Sequence, residues 1–469
     1  MSSDHSERPQ GPIARVPPDV LLEIFDACRI VNDATIGDPP SSLDHRGIVR
    51  AGPPAVTAVC QSWRNLAIHT PILWTDVHIQ LFSDNLSSAT GLLRIMLSRS
   101  ARRPLSISMR SFAGLRITPD AAKPIINVLL EQCTRWANLD VCVSEPIFHL
   151  LLPAQGHLAQ LRSVRFRFLF KMWARLDWAP LRNLFSACPA LVDVEHWGPP
   201  IDFPWEQLDR LSLMGQPRSA ALERTTHARV LHLMELPIVG STYGPFPTQM
   251  EHPRLQKLTV ARSHRLRCFR APTLTHCHII KDTTTSEDLV TATNYFRGEG
   301  VKLTTLSISV GSALAVELGE LFAHCRALEH LQLGLLPIYQ AGVCMGENEK
   351  AFTNVLSLLV VHHERRVYLP ALRRLGLMMS WVTSSDEVAS VYEVVQSRAT
   401  APDDVAPCLE TFVLRIRFGL QHPTAWADEI EDIEARLQSC RLGGKPTVDV
   451  DHGKSFELCR LWREKWTML

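Results

Sequence analysis

Three stretches hold residues whose types and spacing invite a chemical reading. His363-Glu364-Arg365-Arg366-Val367 begins like the H-E-x-x-H zinc helix, where two histidines one turn apart face the metal. Valine stands where the second ligand is needed, so the set fails and reads as the polar end of a helix. His276-Cys277-His278 lines up three potential ligands. Successive strand residues point to opposite faces, so the two histidines share a side. No second ligand pair is evident, and a structural role is expected. Leu442-Gly443-Gly444-Lys445-Pro446-Thr447 has some of the residues of a phosphate loop without the G-x-x-x-x-G-K-[ST] order. Proline after the lysine would also spoil the helix-start amides that hold an anion. Neither a G-x-S-x-G elbow nor a G-x-G-x-x-G turn is present. The chain is therefore expected to be no enzyme, with no metal and no cofactor.

The bulk properties agree with a binding role. The chain has 469 residues, 46% of them hydrophobic and 21% charged, within the ordinary range for a soluble globular protein. Its formal net charge of +1 gives no single-signed field, so neither nucleic acid nor an anionic membrane is an expected partner. The basic group Arg99, Arg102 and Arg103 reads as a solvated helix end. The 12 cysteines include no C-x-x-C pair, which argues against a zinc module or a disulfide framework. A reducing compartment follows, cytoplasmic or nuclear. The polar start has no apolar core of a secretory signal, and no run is long enough to span a bilayer. The sequon at Asn85 is thus expected to stay unmodified.

The elements come in two kinds. Residues 1–12 are polar and proline-containing, which suggests a disordered arm. Val20, Leu21, Ile24, Phe25 and Cys28 share one helical face, with Asp19, Glu23 and Asp26 opposite. A loop by composition covers 31–53. Val56, Val59, Cys60, Trp63, Leu66 and Ala67 then fall at helical spacing and predict one continuous amphipathic helix. Thr70-Pro71 starts a second short turn, and Val77 and Ile79 alternate like a strand. Ala89 to Leu97 predicts a further helix, stopped by Pro104, and Leu105, Ile107 and Met109 alternate as a strand.

From there a motif of the form L-x-x-L-x-L recurs. Clear copies begin at Leu161, Leu208, Leu255, Leu303, Leu328, Leu372 and Leu409, with a shorter one at Leu191. Weaker ones lie at Leu139, Leu231 and Leu274. Helical faces fill many gaps: Leu181 to Cys188, Leu314 to Cys325, Phe352 to Val360 and Val388 to Val395. Copies are about 17 to about 44 residues apart, against roughly 20–29 in well-formed leucine-rich repeats. One such unit cannot bury its own apolar strand face, so stacked neighbours must build the core. Two closing segments, Trp426 to Cys440 and Ser455 to Trp466, read as a helical cap.

R-V-P-P-D-V-L-L-E-I-F, paired with V-C-Q-S-W-R-N-L-A-I-H-T-P-I-L-W, resembles the F-box, in particular F-box proteins of the large fungal type. The resemblance covers about residues 13–79. Val16-Pro17-Pro18 replaces the more usual Leu-Pro, and the loop between the helices is long. The resemblance implies a three-helix module that docks on the Skp adaptor of a cullin-RING ubiquitin ligase. Carried over by position, the contacts would be Pro17, Val20, Leu21, Ile24 and Phe25, then Val59, Cys60, Trp63, Arg64, Leu66 and Trp74. Each remains open between adaptor contact and module core, Leu21, Ile24 and Val59 above all. Trp63 and Trp74 are the aromatic anchors of that set.

The looser resemblance to leucine-rich repeats implies a target-binding array. The expectation is thus an α/β chain: arm 1–12, F-box 13–79, linker helix 80–103, irregular repeat solenoid of horseshoe form 104–425, cap 426–469. Its role would be the substrate receptor of a Skp–cullin–RING ligase, or an interaction scaffold outside a ligase. The target is not legible. Two segments rich in proline and aromatics, Trp197 to Trp205 and Pro237 to Met250, are candidate contact loops.

Overall fold

The computed structural model describes residues 16–30, 56–81, 86–111, 117–168, 178–198, 201–214, 219–234, 249–280, 285–310, 314–335, 349–362, 367–379, 385–402, 406–416, 435–440 and 446–451. The expected arm at 1–12, the loop 31–53, the Asn85 sequon, 237–248, His363 to Arg366, Leu442 to Lys445 and the 455–466 helix lie outside them. The chain forms two compact units, Met1–Arg218 and Ser219–Leu469.

Among the described residues the first unit holds six strands: β1 (Asp76–Leu81), β2 (Leu105–Ser111), β3 (Trp136–Val143), β4 (Ser163–Phe168), β5 (Asp193–Trp197) and β6 (Arg210–Met214). They pair in chain order and every pair is parallel. The pairing follows from the motif. Val77, Ile107, Leu139, Val164, Val194 and Leu211 fall in one register row, and all are buried. Each is worth about 1.5–3 kcal/mol when fully removed from water. The alternate residues of β1, β2, β5 and β6 stay at least partly exposed, as a strand with one buried face requires.

The second unit repeats this arrangement, with eight strands of the main ladder among the described residues. They are β7 (Val230–Met234), then β9 (Lys257–Val260), reached past a short β8 (Met250–Glu251), and β11 (His276–Ile279), reached past β10 (Phe269–Arg270). β12 (Thr305–Val310), β13 (His330–Leu335), β14 (Arg374–Met379), β15 (Thr411–Ile416) and β16 (Thr447–Asp451) complete the set. Again neighbours pair in parallel, while β8 and β10 make a separate two-stranded ladder. The motif's leading residues, Leu255, Leu274, Leu303, Leu328, Leu372 and Leu409, are all buried just before their strands. This is an α/β parallel-strand repeat of the leucine-rich type, solenoid-like in each unit.

Helices on the return path carry the other half of the core. Helix Ser286–Gly298 starts with a capping box, Thr285 and Asp288 each bonding the other's backbone amide. Helix Ala315–His324 buries Leu318, Leu321 and Phe322. Arg398, near the end of helix Ser385–Ala399, is wholly buried. Its guanidinium donates to the carbonyls of Leu359 (2.7 Å), Tyr368 (2.9 Å) and Leu369 (3.4 Å). Burial lowers its pKa to about 10, still cationic at neutral pH.

Several expectations need correction. Leu181 to Cys188 is no helix but a short 3-10 turn, Ala179–Leu181, followed by further turns; its apolar residues are nonetheless buried. The end of the chain is not only helical. Residues 435–439 are, but Thr447–Asp451 is a strand that extends the parallel ladder by one repeat. Phe203 and Trp205 are core, not contact loop: Phe203 stacks on Phe185 at 5.8 Å and meets the Trp205 ring at 5.3 Å.

Candidate functional site

The segment before β1 gathers exposed apolar side chains more densely than the repeats do. Helix Pro18–Ile30 begins at the proline-fixed turn, with Leu21 N–H donating to the Pro17 carbonyl at 3.1 Å. Leu21 and Phe25 are one turn apart and buried. Val20 and Ile24 are also one turn apart, on the neighbouring stripe, and they are exposed.

The predicted continuous helix from Val56 is broken. Val56 and Thr57 make a helical turn, the chain kinks, and a new helix runs Gln61–Ile68. Cys60 is its N-cap in extended backbone, φ −157° and ψ 171°, and its sulfur accepts from Trp63 N–H at 3.5 Å. Arg64 Nε donates to the Thr57 carbonyl at 2.8 Å and ties the two pieces together. The break turns Val59 outward.

Trp74 is the hub. It lies in the 3-10 turn Pro71–Trp74 and is fully buried. Its indole N–H donates to the Ala67 carbonyl at 2.7 Å, closing the end of the Gln61–Ile68 helix. The Arg99 guanidinium, at the end of helix Leu86–Arg99, sits 4.6 Å above its ring. Arg99 is therefore a packing residue rather than a solvated one, while Arg102 and Arg103 are exposed. Phe25 and Trp63 join the first helix to the second, ring centroids 4.9 Å apart.

The eleven residues carried over by resemblance thus separate into groups. Leu21, Phe25 and Trp74 belong to the module's own core. Trp63 and Leu66 are half-buried, and Pro17, Val20, Ile24, Val59, Cys60 and Arg64 are exposed. Trp74 cannot serve as a surface anchor, since no face of it reaches solvent. One exposed residue escaped the sequence reading: Ile72, turned outward by the 3-10 turn. Among the described residues, eight large hydrophobics are exposed, and four come from this short module: Val20 at 48%, Ile24 at 41%, Val59 at 56% and Ile72 at 44%. Scattered single cases are normal, so concentration in one small module is the informative feature.

The chemical motifs assemble nothing comparable. His276 and His278 are half-buried on one side of β11, and Cys277 points into the core, where burial pushes its thiol pKa far up. Among the described residues no group of three His, Cys, Asp or Glu side chains could hold a metal. The cysteines from Cys60 to Cys325, with Cys408 and Cys440, are free thiols. No described helix is long and apolar enough to cross a membrane.

The sheet faces of the two units differ in charge. In the first, β2 to β5 carry an ion-pair ladder: Arg110 to Asp140 at 3.1 Å, Arg167 to Glu195 at 3.0 Å and Arg165 to Glu195 at 3.8 Å. Burial works most strongly against the charge of Arg167, yet the Glu195 and Asp140 carboxylates with Cys142 together leave the pKa raised. Arg167 also covers the Trp197 ring at 5.2 Å. In the second unit, the corresponding face carries Lys257, His276, His330 and Arg374.

No family model matches the chain, and no curated relative matches it either. Among solved structures it is similar to the leucine-rich repeat-containing protein LegL7 from Legionella pneumophila, with 10% identity over 77% of this chain and 98% of that one. The TM-score of that likeness is 0.34, too low to carry an argument, so the repeat architecture stands on the strand registers described above.

Proposed function

We propose that the chain is a non-catalytic receptor. Residues 13–79 form an F-box-like module that docks on the Skp adaptor of a cullin-RING ubiquitin ligase, and the parallel repeats hold a protein target. The observation that carries this reading is the exposed set Val20, Ile24, Val59 and Ile72 on elements that pack around Trp74. A three-helix module of this size has more apolar surface than it can cover, and a partner helix would remove the surplus from water. Each exposed aliphatic side chain is worth up to about 1.5–3 kcal/mol once covered. Transfer of ubiquitin would be the work of partner proteins. The receptor would act by raising the local concentration of target lysines near the charged conjugating enzyme.

The test is affinity capture of the full chain from cells, followed by blotting for the adaptor and for a cullin. Recovery of both supports the ligase receptor. Recovery of the adaptor without cullin supports the second reading, an interaction scaffold outside a ligase. Recovery of neither sinks the ligase receptor and leaves a scaffold that does not use the adaptor.

A further inference from the structure

The second unit exposes one row of cationic and imidazole side chains with no acid in it. Register places Lys257, His276, Thr305, His330 and Arg374 side by side on β9, β11, β12, β13 and β14. All five are half-buried, on the face opposite the buried leucine rows. Neighbouring strands are about 4.8 Å apart, so the row is about 19 Å long, the reach of about six extended residues.

We propose that this row is a binding ledge for an extended, carboxylate-rich segment of a partner protein. The inference rests on the target-binding half of the reading above, and not on adaptor docking. Charge complementarity chooses the occupant. Among the described residues Lys257, His330 and Arg374 make no ion pair, whereas the first unit closes its arginines onto Asp140 and Glu195. Arg374 is half-buried, and among the described residues its Nε has no hydrogen-bond partner, so its charge is left uncompensated within the chain. The floor next to the row is shut. Ser307, Ser309, Gln332 and Met378 are buried, and Ser307 donates to Gln332 at 2.9 Å. Gly334 has Ser309 Oγ only 2.7 Å from where a Cβ would sit. Side chains of a ligand are therefore met along the row and not deeper along these strands.

The groups facing the two histidines set a pH dependence. Burial, then Lys257 and His330, lower the pKa of His276. Burial and Arg374 lower that of His330, against Glu329 and Glu410, whose carboxylates raise it. Glu410 is held by Arg373 at 3.0 Å, and Glu329 is exposed at the lead-in to β13. Both rings are thus neutral at neutral pH, and protonation adds charge to a row that already bears Lys257 and Arg374. Affinity for a carboxylate segment should rise as pH falls.

The experiment is fluorescence anisotropy with the full chain and a labelled peptide of about twelve residues alternating Glu and Ser. A Gln/Ser peptide and a single-stranded DNA of similar length serve as comparisons. The Glu peptide should bind, and more weakly as salt rises. Lys257→Gln with Arg374→Gln should cost about tenfold or more in affinity. His276→Ala with His330→Ala should flatten the rise that sets in below about pH 6.5. The single Lys257→Gln, on a half-buried side chain, supplies a folded variant if the double ones melt early. Equal binding of the Glu and Gln peptides, unchanged affinity of the Lys257 and Arg374 variants, preference for the DNA, or no binding at about 1 mM would each overturn the proposal. Ile24→Asp with Val59→Asp should leave peptide affinity untouched, which separates failure here from failure of adaptor docking.

Discussion

The N-terminal module and the repeats solve the same packing problem in opposite ways. A repeat strand sends Leu, Val or Phe into a row shared with its neighbours, and the next strand covers what it leaves open. The module has no such neighbour for Val20, Ile24, Val59 and Ile72. It is held by one buried indole and a few caps instead of an extended ladder. Ile95, Val192, Val290 and Val316 are exposed singly along the rest of the chain, whereas four such residues fall within this one short module, which is where an external partner would do what a neighbouring repeat does internally.

The largest break in this comparison should come from Trp74→Ala. Loss of a buried Trp costs about 3–5 kcal/mol, and here it also frees the Ala67 carbonyl and the Arg99 cation. Thermal melting and proteolysis near residues 61–74 should report a loosened module. In the repeats the counterpart is Arg398→Ala. Three buried carbonyls would lose their donor, for about 3 kcal/mol or more. Chemical denaturation should show it, with Arg398→Lys recovering only part because ammonium cannot span the same three acceptors.

His252 gives a pH-dependent edge to the second unit. The ring is wholly buried, and burial outweighs a weaker backbone interaction at Thr225 to hold its pKa at about 4, against 6.5 for a free histidine. The unfolded chain takes up a proton below the free value while the folded chain refuses it, so stability falls as pH drops from about 6.5 towards about 4. The loss is on the order of 3 kcal/mol at the low end. Urea titrations across that range should show the slope, and His252→Gln should remove most of it. At the small end stands Arg94, whose pair with Glu131 at 3.3 Å is over half exposed on both sides. Arg94→Ala should shift stability by less than about 0.5 kcal/mol.

Much of this contrast could be read from residue patterns, for a physical reason. L-x-x-L-x-L alternates at the strand period, so Leu258, Leu306, Leu331 and Leu375 could only be buried together in register. The break at Cys60 was invisible, because Val56, Val59, Cys60 and Trp63 keep helical spacing on both sides of it. Backbone geometry at the cap, which periodicity does not report, decides that Val59 faces water. Burial within the module was equally hidden. Leu21 and Val20 differ by one position and are alike in polarity, and only packing against Trp74 and its neighbours separates them. β16 was missed because Thr447–Asp451 lacks the leading leucine and carries Asp449 and Asp451. The cation row needed the register between strands, since Lys257, His276, His330 and Arg374 are far apart in sequence.

The most direct measurement of the central claim is co-elution of the purified full chain with the Skp adaptor, wild type beside Ile24→Asp with Val59→Asp. Both positions are exposed, so the double variant should melt within about 0.5 kcal/mol of the wild type. The account predicts a complex for the wild type at micromolar concentration and none for the variant. A wild-type chain that elutes alone, or a variant that binds as well as the wild type, would contradict it.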